Sequence, residues 1–171
     1  MIATLHLPVP LPARSGELTL RRARQDDLVA LMTLLSDDPV SAGRGDLADP
    51  RDSAAYGSAL AELVGDPANE ILVVVDDTDL PVATMQLTRI PGMARRGSTR
   101  LLVEAVRVAG QHRSGGIGSA MMRWVVEEAA PATRSSLVQL TSDEARIDAH
   151  RFYARLGFVG SHRGFKYQVA E

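Results

Sequence analysis

The stretch Arg113-Ser-Gly-Gly-Ile-Gly118 stands between a strand-like apolar run at 101–108 and a helix-like amphipathic run at 117–130. Strand, glycine-rich turn and helix in that order bring free backbone N–H groups and the positive end of a helix dipole to one spot, which suits phosphate. The glycines at 115, 116 and 118 let a bulky anion approach the main chain. Two nucleotide readings fail on spacing. A dinucleotide fingerprint requires a third glycine three residues after Gly118, where Met121 stands, and no acidic residue follows at the right distance on a second strand. A nucleotide-hydrolase phosphate loop requires Gly-Lys-Ser/Thr, whereas Gly118 leads into Ser119-Ala120. A glycine-rich turn that binds nothing is the plain alternative; Arg113 and the strong helix that follows weigh against it.

Downstream, Ile117, Ala120, Met121, Trp124, Val125 and Ala129 share one helical face, which should pack on a sheet, and Pro131 should stop that helix. Leu137–Leu140 reads as a buried strand, a helix from about 143 to 156 ends at Gly157, and short strands are expected at 158–161 and 165–169. Upstream, 71–75 and 82–88 flank a turn at 76–79 and read as a hairpin. One earlier helix starts at Gln25-Asp-Asp27 and carries Leu28, Leu31, Met32 and Leu35; a second, capped by Asp52 or Ser53, carries Tyr56, Leu60, Leu63 and Val64. Residues 36–50 read as a loop, and 18–22 alternate as a half-buried strand. Pro8, Pro10 and Pro12 suit an extended arm rather than a strand or helix. The fold class is therefore α/β (mixed α+β). One domain over 17–171 has a central mixed, twisted sheet of about six to seven strands, flanked by helices on both faces and preceded by a proline-rich arm at 1–16.

Composition narrows the partners. The chain has 171 residues, a formal net charge of −2 and a pI near 6.1, so no polyanion footprint points to nucleic acid. One Trp, three Tyr and three Phe leave few platforms for stacking bases. No apolar run approaches the roughly 20 residues of a membrane span, and no basic segment followed by an apolar one marks a signal peptide. With no cysteine there is no disulfide, thiolate metal site or thiol nucleophile. No metal is expected, and a cytoplasmic protein fits these features. His112 reads as a loop histidine beside the turn, and His150 as a surface residue, because Asp148 and His150 point in different directions on a helix.

Two motifs together resemble the GNAT superfamily of acyl-CoA-dependent N-acetyltransferases. Arg113, Gly116 and Gly118 fill the defined places of that family's Arg/Gln-x-x-Gly-x-Gly/Ala turn. Some forty residues later, Ala149-His-Arg-Phe-Tyr-Ala-Arg-Leu-Gly-Phe158 is similar to its helix-to-strand segment. The element order extends the resemblance over about 17–169.

The resemblance implies acetyl-CoA as cosubstrate and an amine-bearing acceptor. Main-chain N–H groups of Arg113, Ser114, Gly115, Gly116, Ile117, Gly118 and Ser119 would hold the pyrophosphate. The strand end at Val106, Arg107 and Val108 would pair with the pantetheine arm, passing between this strand and the one at Leu137–Leu140, which should splay apart. Tyr153 matches the tyrosine that protonates the departing thiolate. Where relatives often carry an asparagine that contacts the coenzyme, this chain has Arg146, which could reach a coenzyme phosphate instead.

The chemistry asks for similar groups. A carboxylate must deprotonate the ammonium, and a fixed donor such as the Val108 N–H must hold the oxyanion. Glu104 is the candidate base; strand alternation places it on one face with Val106 and Val108. Pairing of Glu104 with Arg100 or Arg107, or its solvation, remains the alternative. Asp37, Asp38, Asp46 and Asp49 could draw a cationic amine or be simply solvated. Ser142-Asp143 could cap the last helix or line the acceptor cleft. A non-catalytic acyl-CoA sensor is the rival function, and a homodimer is compatible with the sequence.

Overall fold

The computed structural model describes residues 2–14 and 16–169, so Met1, Ser15, Ala170 and Glu171, at the ends of the expected arm and domain, lie outside it. A six-stranded sheet runs in the order β1 (Val9–Ala13), β2 (Gly16–Arg22), β3 (Asn69–Val75), β4 (Pro81–Ile90), β5 (Arg100–Val108) and β6 (Leu137–Leu140). Neighbours from β1 to β5 pair antiparallel, and β6 joins β5 in parallel. The helical elements are α1 (Leu28–Ser36), α2 (Pro39–Ala42), α3 (Ser53–Gly65), the short turn α4 (Ala94–Gly97), α5 (Ile117–Trp124), α6 (Ala130–Ala132) and α7 (Ile147–Arg155). The parallel pair requires a crossover, and α5 with α6 provides it.

The continuous apolar run in β3 is buried on both sides. Leu72 and Val74 enter a core with Met85, Leu87, Leu101, Val103 and the α5 residues Ile117, Ala120 and Met121. Ile71, Val73 and Val75 enter a second core with Leu31 of α1 and Leu60 of α3. Helices thus cover both faces of a mixed sheet, which is why β3 lacks the polar alternation of a half-exposed strand.

Three local expectations are corrected. In the proline-rich arm Ile2–Thr4 forms a 3₁₀ turn, and Val9–Ala13 is a true edge strand, with Leu11 opposite Leu18 and only 2% exposed. An edge strand tolerates prolines at alternate positions because every second N–H points away from the sheet. Within 36–50, expected to be all loop, Pro39–Ala42 forms one helical turn, capped by Asp38, whose side chain accepts from the Ser41 N–H. The helix ends at Ala132, one residue past Pro131, as expected. A π-turn, Val125–Ala129, precedes the proline, with the Ala130 N–H bonding Val125 O five residues back, and this wider turn accommodates the ring. Residues 158–169 have no regular structure, and Val159, Phe165, Tyr167 and Val169 are exposed. Alternation there suits a strand, but a strand forms only against a partner.

The first helix is anchored to the sheet by charge. Arg21 of β2 and Asp27, at the start of α1, are both 6% exposed and bonded in a fork, Nη1 to Oδ2 at 2.8 Å and Nη2 to Oδ1 at 2.9 Å. Arg21 Nε also reaches Asp79 at 2.7 Å, and the Arg24 N–H donates to Asp27 Oδ2. Burial alone would raise the Asp27 carboxyl, but the Arg21 and Arg24 hydrogen bonds outweigh it and hold it below the usual carboxylate value. Asp27→Ala breaks the buried fork and leaves Arg21 with the exposed Asp79 as its remaining carboxylate partner, at an expected cost of about 3 kcal/mol, read as a lower denaturant midpoint. Because the folded carboxyl titrates below its unfolded value of about 3.9, its contribution is complete above that pH and lost as pH falls through the folded value. The wild-type midpoint should therefore fall more steeply than the variant's below about pH 4.

Candidate functional site

The β5–β6 ladder has four rungs, from Arg100↔Leu137 to Val103↔Leu140, and then stops. From Glu104 onward β5 has no partner on that side, so the two strands diverge as expected. On the other side, the pairing with β4 runs through Gln86↔Glu104 and resumes at Thr84↔Arg107, which places two β5 residues, Ala105 and Val106, opposite Met85 alone. This is a β-bulge, and Ala105 adopts φ 49° to make it.

The bulge overturns one expectation. Cross-strand partners share a face, so Glu104 lies with Gln86, and Arg107 with Thr84, on one side of the sheet. Val108, opposite Ala83, lies on the other, where both Val106 and Val108 pack against the main core. Simple alternation put Glu104 with Val106 and Val108; one inserted residue reverses that. Glu104 is exposed on the face that α2 covers.

The Ala109 N–H donates to Val82 O at 2.9 Å, so the main-chain groups of Val108, one residue earlier, point away from β4 into the opening. The Val108 carbonyl accepts from Arg113 Nε at 3.1 Å. The guanidinium of Arg113 also reaches the carbonyl and carboxylate of Asp37, and the same carboxylate accepts from the Gly110 N–H at 2.6 Å. Its side chain is therefore a clasp between the end of β5 and the end of α1.

At the turn itself, Ser114 and Gly116 have φ 65° and 86°. The helix begins with Ala120 N–H to Gly116 O, and no side chain caps it, so the amides of Gly116, Ile117, Gly118 and Ser119 have no acceptor within the helix. The Arg113 and Gly115 N–H groups instead lean on Gly110 O and His112 O, at 3.3 and 3.4 Å. A Cβ at Gly118 would lie 3.4 Å from Phe152 Cζ, so this glycine makes room for the Phe152 ring. Arg14 donates its N–H to Gly115 O at 3.0 Å. This contact was missed because the arm read as separate from the domain.

Tyr153 of α7 is half-buried, edge-on to Phe152 at 5.1 Å and to Phe158 at 5.9 Å. Burial raises its phenol above the ordinary value, against the opposing pull of Arg107 and Arg146. Arg146 pairs with Asp38 at 2.5 Å and approaches Ser41 Oγ at 3.4 Å. Arg107 Nη2 donates to the same Ser41 Oγ at 2.6 Å. The acidic loop residues are neither free nor simply solvated. Asp37 holds Arg113 and Gly110, Asp46 accepts from the Tyr56 hydroxyl, and Asp49 pairs with Arg51. Asp143 accepts from the Ala145 N–H ahead of α7 and also pairs with Arg44, so it both shapes the turn and joins the loop. His150 donates from Nε2 to Asp143 O at 2.8 Å. Among the described residues no group of three or more acidic or histidine side chains could hold a metal, and no helix is long and apolar enough to cross a membrane.

The family model described as Acetyltransferase (GNAT) family matches residues 28–158. Among solved structures, the chain is similar to one described as a transcriptional regulator from Bacillus halodurans C-125, at 34% identity and TM-score 0.83, covering 89% of this chain and 99% of that one. It is also similar to a proposed acetyltransferase from Agrobacterium tumefaciens, at 27% identity and TM-score 0.73, covering 88% and 99%. An acetyltransferase from Trypanosoma brucei, at 23% identity and TM-score 0.71, covers 89% and 99% and shares the fold. No curated protein matches the chain. With the divided strands, the uncapped turn and the family match in agreement, the chain belongs to the GNAT family of acetyltransferases.

Proposed function

We propose that the protein transfers an acetyl group from acetyl-CoA to a primary amine of a small molecule or peptide, by direct attack in a ternary complex. The observation that carries this reading is the free end of β5, open toward β6, between an uncapped, amide-lined turn and the Tyr153 phenol. The coenzyme would bring the thioester. The amides of Gly116 to Ser119, with Ser114 and Gly115 beside them, would take its pyrophosphate, and the main chain from Val106 to Val108 its pantetheine arm.

Glu104, directly or through a water, takes a proton from the acceptor's ammonium. The free amine attacks the thioester carbonyl, and the Val108 N–H holds the oxyanion. As the carbon–sulfur bond breaks, Tyr153 gives its proton to the departing thiolate, and the second proton, shed by the attacking nitrogen as it becomes an amide, passes through water to restore the phenol. A phenol carries its proton at neutral pH, and burial raises it further, so Tyr153 is in the acid form that this step needs. Direct attack requires no covalent enzyme intermediate, in keeping with a chain that has no cysteine.

A second reading has one observation behind it. The Bacillus halodurans relative is described as a transcriptional regulator, which fits an acyl-CoA-responsive domain that does not turn over.

Acetyl-CoA is expected to raise the melting temperature, and CoA should be released when an amine panel is added, followed with a thiol reagent. Binding without turnover across a broad panel would establish the sensor; failure to bind any CoA ester would sink both readings. Tyr153→Phe should lower kcat by about 10²–10⁴-fold while changing the acetyl-CoA Kd by no more than about threefold. Its alkaline limb, above pH 10 in the wild type because the phenol is raised, should vanish in the variant. Weakened coenzyme binding with an intact kcat would remove Tyr153 as the acid.

A further inference from the structure

Two buried side-chain polar atoms among the described residues lack a hydrogen-bond partner in the protein: Arg107 Nε and Ser142 Oγ. Buried polar groups are nearly always paired, so each such orphan calls for an explanation. Their positions are related. Arg107 follows the last β5–β6 rung on one strand, and Ser142 follows it on the other, two residues past Leu140. Both therefore flank the opening through which the acetyl group would be passed.

The charges around Arg107 narrow what could occupy this place. Its other nitrogens are satisfied by neutral acceptors, Nη1 by Val106 O at 2.8 Å and Nη2 by Ser41 Oγ at 2.6 Å. No carboxylate forms an ion pair with it, although Asp38 and Asp46 contribute a favourable field. Asp38 is engaged by Arg146 and the Ser41 N–H, and Asp46 by Tyr56. Arg146 adds a second guanidinium nearby, and burial together with that like charge pulls Arg107 below its ordinary pKa. A half-buried cation with a spare N–H, beside another cation, is set to receive an anion.

Resting on the acetyl-transfer reading above, we infer that the acceptor is an amine that also carries a carboxylate, which Arg107 Nε–H and the Ser142 hydroxyl receive where β5 and β6 part. Two donors match the two oxygens of a carboxylate. A phosphate dianion would find too few donors and would meet Asp38 and Asp46 at close quarters. The acidic loop residues, being already engaged, do not draw the amine; Arg107 orients the acceptor by its other end, leaving the ammonium to face Glu104.

The test uses amines matched in all but one group: the free carboxylate, its amide, and a phosphate in its place. With acetyl-CoA saturating, kcat/KM for the carboxylate should exceed that of the amide and of the phosphate analogue by at least about tenfold. Arg107→Gln should bring the carboxylate-to-amide ratio close to one, chiefly through KM. Ser142→Ala, a small change on the other strand, should lower the ratio severalfold and keeps the test open if Arg107→Gln fails to fold. Calorimetry on the CoA-saturated wild type reads carboxylate binding without turnover. Equal or better use of the amide, preference for the phosphate, no carboxylate binding, or a ratio unmoved in both variants would overturn the inference. Wild-type protein that binds no CoA ester refutes the underlying reading, whereas acetylation confined to amines lacking a carboxylate refutes this inference alone.

Discussion

Everything about the site follows from the release of β5 from β6 over its last five residues, together with the bulge in its pairing with β4. On one side the parallel ladder to β6 ends at Val103, and on the other a bulge at Ala105 breaks the rhythm with β4. A non-glycine residue in the left-handed region costs on the order of 1–2 kcal/mol, and alanine is the smallest side chain that can stand there. In exchange the strand turns Glu104 and Arg107 toward α2 while keeping Val106 and Val108 in the core. A regular strand would divide these residues differently. The bulge separates a main-chain surface suited to a thioester from a side-chain surface suited to an acceptor.

The second constraint is the way the segment after α1 is tied down. Asp37 binds the Arg113 side chain and the Gly110 N–H, and Asp38 binds Arg146 and caps α2. The buried Arg21–Asp27 fork fixes the other end of α1 to β2. Exposed ion pairs are individually weak, worth roughly 0–1 kcal/mol, but these join loops distant in sequence around one opening. Their effect is positional. Arg113 is thus a clasp, and the anion binding proposed for the turn would rest on its main-chain amides.

Much of this was legible from residue patterns, and the misses share a cause. The turn at 113–118, the helix face of Ile117, Ala120 and Met121, and the doubly buried β3 are local periodicities, and they are found where periodicity puts them. The divergence of β5 and β6 came from resemblance and is present. The bulge was not legible, because nothing in Glu104-Ala-Val-Arg107 marks an inserted residue; it is set by how β4 and β5 register at both ends. The edge strand Val9–Ala13 was hidden by prolines whose missing N–H groups only an edge position excuses. The partners of Asp37 and Asp38 lie 76 and 108 residues away, beyond any local pattern.

That distance explains why the acceptor is harder to read than the donor. A coenzyme pyrophosphate is met mainly by main-chain amides, so glycines at fixed spacing are enough to announce it. The proposed acceptor site instead draws on side chains from several elements, Arg107 of β5 and Ser142 past β6, with Ser41 of α2 and Arg146 beside Arg107, which converge only in the fold. Had Arg146 been turned to the coenzyme, Asp38 would lose its ion-pair partner and become available to Arg107, which would then carry its own counter-ion. Because Arg146 takes Asp38 instead, Arg107 has no carboxylate ion-pair partner among the described residues. The substitution at 146 therefore bears on the acceptor side of the cleft, through one shared carboxylate, and leaves the turn at 113–118 untouched.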